Sequence, residues 1–302
     1  MRYFTFLAAS CFLICFIFLK IEPVDAFNGQ VSAHHAVVMD PTSGEVLFEK
    51  KAHEKVPIAS ITKIMTAIIA IESGLFDEIA TTSRRAIYTG GSSIYLEQGE
   101  TMSVEDLVYG LMLRSGNDAA VVLGEHIGGS VEGFVHLMNE KAAWIGMTNT
   151  NFTNPHGLHE EEHYSTAYDM ALLMQYAMKN DQFKHISQTV SYQSKERSYP
   201  WYNKNKLLTT YYDHCTGGKT GFTRVSGRTL VTSARKNNQD LIVVTLNAAD
   251  DWNDHIHLYE WGFKNKTAHT LQQSIVANAP VHTESSFTSQ LILVYKKMIG
   301  LN

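Results

Sequence analysis

Between Pro57 and Gly74 the chain reads Ile58-Ala59-Ser60-Ile61-Thr62-Lys63-Ile64-Met65-Thr66-Ala67-Ile68-Ile69-Ala70-Ile71-Glu72-Ser73, which is apolar on nearly every side of a helix. A helix with no polar face has to be surrounded, so this stretch belongs inside a large domain. Pro57 ahead of it and Gly74 behind it are the start and stop punctuation of such a helix. Two reactive side chains interrupt the run, Ser60 and Lys63, three residues apart and therefore on one face. Lysine is rarely buried without a reason, because desolvation disfavours its ammonium and lowers its pKa from about 10.4 by up to several units. A neutral amine beside a hydroxyl is a general base beside a nucleophile.

At ordinary residue frequencies a Ser-x-x-Lys match arises by chance about once in a chain of this size. The chain supplies that second match in Ser233-Ala234-Arg235-Lys236. It lies in a segment that reads as a strand entering a polar turn, where residues three apart point to opposite faces. Only the helical match places hydroxyl and amine together.

With 302 residues, 44% of them hydrophobic, one large domain with a small appendage is expected. A net charge of -5 leaves no basic footprint for nucleic acid. Residues 1–26 read as an export signal: Arg2, an apolar run from Phe4 to Leu19, then Val24-Asp25-Ala26 as a small-residue cleavage site. An uncleaved anchor is the alternative, since the run is slightly long for a signal core and short for a span. Cys11 and Cys15 fall inside it without a context for lipid attachment. Cleavage after Ala26 would leave Cys215 alone and no intramolecular disulfide, which fits a bacterial extracytoplasmic space.

Along the mature chain, Ala36–Asp40 and Val46–Lys50 read as a hairpin around Pro41–Glu45. Helical patterns follow at Val104–Leu113, Ala119–His126, Val131–Ile145 and Thr166–Lys179, the last with Ser165 as its cap. Lys219–Phe222, Arg228–Ser233 and Leu241–Asn247 form an antiparallel meander, and helix Trp252–Lys264 closes the domain. Strands at both ends with helices between them predict an α/β (α+β) fold: one antiparallel sheet built from both chain ends, flanked by helices, with an inserted helical lobe. The catalytic domain is expected over residues 27–266. The remainder, 267–302, reads as a polar tail with a possible amphipathic helix over 286–300 that would dock on the domain or lie on a membrane surface.

Three short motifs occur in order: Ser60-Ile61-Thr62-Lys63, Ser115-Gly116-Asn117 and Lys219-Thr220-Gly221. Singly, the second is a turn and the third a strand start. Together, on a buried helix start, an interhelical loop and the edge of a returning strand, they match the motif set of penicillin-binding proteins and class A β-lactamases. The chain resembles a low-molecular-mass penicillin-binding protein, a serine-type D-alanyl-D-alanine carboxypeptidase, closest to the sporulation-associated Gram-positive type. The resemblance runs from about Ala36 to Phe263 and includes Asn154-Pro155-His156-Gly157-Leu158 and His163–Ala171. Relatives of that type continue into a β-rich domain and an amphipathic anchor, of which this sequence shows almost nothing.

The resemblance implies the penicillin-binding/β-lactamase-like fold and an acyl-enzyme on Ser60, with Lys63 taking its proton and Ser115 relaying a proton to the leaving D-alanine. The amine of Lys63 must then be neutral, which burial and a neighbouring cation, Lys219, favour. Asn117, donor and acceptor at once, suits a substrate amide. Lys219 and the Thr220 hydroxyl would bind the free carboxylate, and Gly221 would let substrate lie along the strand edge. Backbone N–H groups of Ser60 and Phe222 would form the oxyanion hole. The implied partners are peptidoglycan stem peptides and, as covalent inhibitors, β-lactam antibiotics, with the protein a monomer outside the cytoplasm and without cofactor. A β-lactamase of class A would add a Glu-x-x-Leu-Asn segment, which is absent. An endopeptidase or a non-catalytic wall sensor on the same fold are the other readings.

His156, His163 and Asp169 read as scaffold, a buried histidine paired to a carboxylate, and their spacing makes no zinc site. Glu160-Glu161-Glu162 reads as a solvated loop. Cys215 is expected near the cleft and open to thiol reagents. Of Trp201, Tyr202, Tyr211 and Tyr212, at least half are expected in the core and the rest along a sugar-peptide groove.

Overall fold

The computed structural model describes residue 27 and residues 29–278, with side chains as far as residue 266. The signal segment 1–26 and the tail helix expected at 286–300 lie outside the described residues. Residues Phe27–Phe263 form one compact unit.

The hairpin of β1 (His35–Met39) and β2 (Val46–Lys50) turns at Asp40–Glu45, where Asp40 and Glu45 pair across the turn at 2.8 Å and Gly44 supplies the required positive φ of 77°. A tight 3₁₀ turn, Ala59–Thr62, then leads into α1 (Lys63–Glu72). Every residue of α1 from Lys63 to Ile71 is buried, as an all-round apolar helix demands. Each isoleucine so enclosed contributes roughly 1.5–3 kcal/mol of transfer free energy. Gly74, at φ 77°, ends it.

The lobe that follows carries β3 (Ile79–Thr81), α2 (Arg84–Ile87), β4 (Thr101–Ser103), α3 (Val104–Tyr109), a wide π turn Gly110–Arg114, α4 (Asn117–Gly128) and α5 (Val131–Ile145). Then come α6 (Ala167–Ala177), α7 (Asp181–Gln188), the short pair β5 (Ser191–Tyr192) and β6 (Trp201–Tyr202), and a second π turn Leu207–Tyr211. Helix α6 is capped by Thr166, whose hydroxyl accepts from the Asp169 N–H at 3.0 Å, and not by Ser165 as the sequence suggests. The Ser165 hydroxyl is instead 2.7 Å from that of Thr150.

The chain returns as β7 (Cys215–Thr223), β8 (Gly227–Lys236) and β9 (Gln239–Ala248). Strand β9 pairs with β1, so the N-terminal hairpin and the C-terminal meander make one antiparallel sheet in the order β2-β1-β9-β8-β7. Alternation divides its side chains cleanly. Val37, Met39, Val231, Ile242, Val244 and Leu246 join the core shared with α1 and α6. Ala36, Val38, Leu230, Ala234, Leu241 and Val243 face α8 (Asp251–Asn278) through Leu258, Tyr259 and Phe263. Helix α8 runs well past the expected stop at Lys264, because Phe263–Asn278 contains neither glycine nor proline to end it. Among the described residues no helix is long and apolar enough to cross a membrane.

Candidate active site

The Ser60 turn is held against its own preference. Ala59 sits at φ 52°, a left-handed conformation that costs a non-glycine residue on the order of 1–3 kcal/mol, so its surroundings must impose it. The Thr62 hydroxyl donates to the Ala59 carbonyl at 2.8 Å. The Thr229 hydroxyl, reaching across from β8, donates to the Ile58 carbonyl at 2.9 Å. Gly157 presses on the same turn: a Cβ there would lie 2.0 Å from the Ala59 oxygen.

His163 completes the brace. Its Nδ1 accepts from the Thr153 N–H at 3.1 Å, so Nε2 carries the proton and donates to the Thr62 hydroxyl at 2.8 Å. Burial holds this ring neutral by pushing its pKa down to about 4, with Lys63 adding to the effect. The expected carboxylate partner is absent from this arrangement, because Asp169 is spent on the Asn149 N–H and the Thr150 hydroxyl, both at 2.8 Å. His163 is scaffold, then, but through a hydroxyl.

Lys63 is fully buried, and its Nζ has three oxygen neighbours: Ser60 Oγ at 3.0 Å, Asn117 Oδ1 at 2.6 Å and the His156 carbonyl at 2.5 Å. None is a carboxylate. An ammonium would donate to all three; a neutral amine, donating to Asn117 and His156, has a lone pair left for the Ser60 hydroxyl. Burial holds its pKa well below the ordinary lysine value, Lys219 and Lys204 lower it further, and Asp118 opposes them. That carboxylate is itself occupied by the Ser93 hydroxyl at 2.5 Å and the Ile94 and Leu96 N–H groups at 3.1 Å.

Asn117 differs from expectation. Its Oδ1 is taken by Lys63 and its Nδ2 donates to the Gly90 carbonyl at 2.6 Å, so the amide is committed to the protein on both sides. The structure makes it the residue that orients the lysine, with one remaining N–H hydrogen for a substrate.

Ser115 ends the Gly110–Arg114 turn at φ 65°, ψ 35°, a second strained non-glycine residue at the site. It lines a cleft of about 320 Å³ together with Ser60, Thr220, Gly221 and Phe222. Gly221 is obligatory: a Cβ there would meet Thr229 Oγ1 at 2.4 Å and the Ser60 nitrogen at 2.9 Å. This contact brings the outermost strand, β7, against the Ser60 N–H. Lys219 lies beneath the surface with 2% exposure, donates to the Thr220 carbonyl at 2.9 Å, and is pushed down to about 7 by burial and then by Lys204.

Sequence reasoning missed part of this cleft. Ser92, Lys204, Arg228, Asp251 and Trp252 also line it. Lys204 Nζ stands 3.3 Å from Ser92 Oγ, and its backbone N–H donates to the Leu113 carbonyl at 3.2 Å, beside the Ser115 turn. No motif marks any of the five. Cys215 does not belong here: it is buried on the α8 side of the sheet, its thiol raised to about 11 by burial. Trp201 and Tyr212 are core, Tyr202 and Tyr211 exposed, the division expected. Glu160, Glu161 and Glu162 form an exposed loop. A larger groove of about 620 Å³ by Ile69, Leu137 and Trp144 also holds a serine and a lysine, but Ser73 donates to the Ala70 carbonyl and Lys141 is paired with Glu72, so no hydroxyl there faces a neutral amine and chemistry, not volume, locates the site.

Residues 22–250 match the D-alanyl-D-alanine carboxypeptidase family of peptidases. The chain belongs to that family. It is 38% identical over 226 residues to the D-alanyl-D-alanine carboxypeptidase DacF of Bacillus subtilis, a match covering 72% of this chain and 58% of that protein. It is 36% identical over 277 residues to DacC of Escherichia coli, covering 85% and 68%. The chain thus spans little more than half the length of the first of these relatives. Among solved structures, penicillin binding protein 5 from Haemophilus influenzae superposes with a TM-score of 0.74 at 32% identity, covering 80% of this chain and 73% of that one. The Streptomyces K15 DD-transpeptidase gives 0.76 at 28% identity, covering 79% of this chain and all of that one.

Proposed function

We propose that this protein is an exported serine DD-carboxypeptidase that removes the terminal D-alanine from peptidoglycan pentapeptide and is acylated by penicillins at Ser60. The observation that carries the reading is the environment of Lys63: a buried amine, 3.0 Å from one hydroxyl and hydrogen-bonded only to neutral acceptors. Ser60 Oγ attacks the penultimate carbonyl as its proton passes to Lys63. The N–H groups of Ser60 and Phe222 receive the oxyanion, and removing one such donor typically costs on the order of a hundredfold. The Ser115 hydroxyl returns the proton to the departing D-alanine nitrogen, and water releases the acyl group by the reverse route. Action on the wall places the enzyme outside the cytoplasmic membrane.

Covalent labelling by a fluorescent penicillin, its loss in Ser60→Ala, and release of D-alanine from a pentapeptide are the expected results. Labelling that persists in Ser60→Ala would rule out the nucleophile. Labelling without D-alanine release would leave a penicillin sensor, and fast penicillin turnover a β-lactamase. The match to all of a DD-transpeptidase chain supports a second outcome for the same acyl-enzyme, capture by an amine. Adding glycine-terminated acceptor peptides and weighing the products separates hydrolysis from transfer, and digestion of crosslinked dimers tests endopeptidase action.

A further inference from the structure

Strand β7 carries one residue more than its partner. Cys215 is paired with Ala234 and Gly217 with Ser233, so Thr216 is an inserted, unpaired residue, a β-bulge. Bulges re-aim a side chain, and this one has a visible target. Cys215 and Ala234 belong to the α8 side of the sheet, which places Ser233 on the opposite, lobe-side face. Thr216 Oγ1 lies 2.8 Å from Ser233 Oγ, so the bulge brings a second hydroxyl onto that face. One hydroxyl of the pair donates to the other, and the hydrogen of the accepting one has no acceptor among the described residues. Ser233 is only 5% exposed, so the spare donor sits at the floor of a cavity rather than in open solvent.

That cavity, of about 180 Å³, is smaller than the roughly 300 Å³ at which pockets for drug-sized ligands begin, and suits a compact group. Its walls are cationic. Lys179 comes from just past the end of α6, Lys184 from α7 and Arg235 from the end of β8, against one lining carboxylate, Asp240. In a chain of net charge -5, three cations around one small cavity are a local reversal of sign. Much of that charge is unclaimed. Lys179 forms no ion pair among the described residues. Lys184 has the exposed Asp181 three residues away, at 3.3 Å, a contact of little strength. Arg235 holds Asp240 through Nε at 2.8 Å and Nη2 at 2.6 Å, which fixes the guanidinium and leaves Nη1 without a hydrogen bond among the described residues.

We infer that this cavity is a binding site for a phosphate group, held by Lys179, Lys184, the Nη1 donors of Arg235 and the spare hydroxyl of the Thr216–Ser233 pair. The donors converge from four segments of chain. A carboxylate offers two oxygens in one plane, whereas a phosphate offers oxygens in tetrahedral directions and accepts from several sides at once. Inorganic phosphate and the phosphodiester units of an anionic polymer both present this chemistry. The site is distinct from the catalytic cleft, since Thr216 and the cleft residue Thr220 are four residues apart on β7, about 13 Å of strand. It does not depend on the carboxypeptidase reading.

Titration calorimetry on the whole chain at fixed ionic strength tests this, with inorganic phosphate and with an oligo(glycerol phosphate) as probes. Phosphate should bind saturably with a Kd of about 1 mM or below. Lys179→Gln combined with Lys184→Gln should weaken it at least about tenfold, and Thr216→Val, which changes no charge, about threefold to fivefold. Lys55→Gln, at an exposed lysine that does not line the cavity, should leave the Kd unchanged. An oligomer that binds at least about tenfold more tightly than free phosphate, and loses affinity in the same variants, identifies a phosphodiester polymer as the ligand; equal affinity per phosphate identifies the free anion. Absence of saturable binding by either probe overturns the inference. So does a Kd unchanged in the double lysine variant, or one weakened as much by Lys55→Gln. A folded Thr216→Val that binds like the unaltered protein also overturns it, since surface charge alone would then account for the binding. Should Thr216→Val fail to fold, the lysine variants decide.

Discussion

Two buried polar clusters lie on opposite faces of the sheet, and they are built alike. On the lobe side, Lys63 joins Ser60, Asn117 and the His156 carbonyl. On the α8 side, the Thr232 hydroxyl lies 2.8 Å from His255 Nδ1 and 2.7 Å from the Tyr259 hydroxyl, while Thr245 meets His255 Nε2 at 2.9 Å. Both titrate abnormally. His255 is pushed down to about 3 by burial and Tyr259 raised well above its ordinary range, as Lys63 is lowered. Yet Thr232, Thr245, His255 and Tyr259 are all completely buried, whereas Ser60 opens to the cleft. A perturbed pKa marks enclosure. Reactivity needs enclosure on one side and access on the other.

The comparison breaks first at Lys63. Lys63→Arg should slow penicillin acylation by about a thousandfold or more, because a guanidinium does not give up its proton; a variant that labels at the normal rate would remove the amine base. The second test is acid. His156, His163 and His255 have folded values of about 3, 4 and 3 against about 6.5 when unfolded. The unfolded chain therefore binds more protons over that window, and stability is lost as pH falls from about 6.5 toward 4, by on the order of several kcal/mol. Urea midpoints at pH 7 and 4.5 should show this loss, and equal midpoints would contradict three neutral rings.

Thr232→Val sharpens the contrast, since it strands His255 and Tyr259 together. A loss of about 2–3 kcal/mol with kcat/KM kept within about threefold is expected, and a large rate effect would mean the rear cluster is coupled to the site. Thr62→Val removes the link between His163 and the Ala59 carbonyl, for about 1–2 kcal/mol and roughly tenfold in acylation rate. Smallest of all is Cys215→Ser, worth about 1 kcal/mol or less and silent in activity, with the native thiol unlabelled by iodoacetamide until the protein unfolds.

The fold was legible where residues act through pattern. An apolar helix must be buried, and strands at both ends must share a sheet. Three motifs in order singled out Ser60, Lys63, Ser115 and Lys219, of which Ser60 and Ser115 line one cleft and Lys63 stands 3.0 Å from Ser60. What sequence could not carry is orientation. Asn117 has the chemistry for a substrate amide, but a lysine 54 positions away turns it inward. Asp169 and His163 are close in sequence and bond elsewhere. Lys204, Arg228 and Asp251 are single residues from three separate segments, and only the packing of those segments makes them neighbours. The left-handed turn at Ala59 is invisible for a related reason: alanine does not advertise a conformation that its surroundings force on it.

The outermost position of β7 has a further consequence. A bare strand margin invites pairing with any extended chain, including another copy of the same protein, and is a common route to aggregation. Here that margin is walled by the Ser60 turn and by the Ser187 hydroxyl of α7, which accepts from the Gly218 N–H at 2.8 Å. Those two contacts occupy the margin at Gly218 and Gly221, so the hazard common to edge strands is blunted by the protein's own chain.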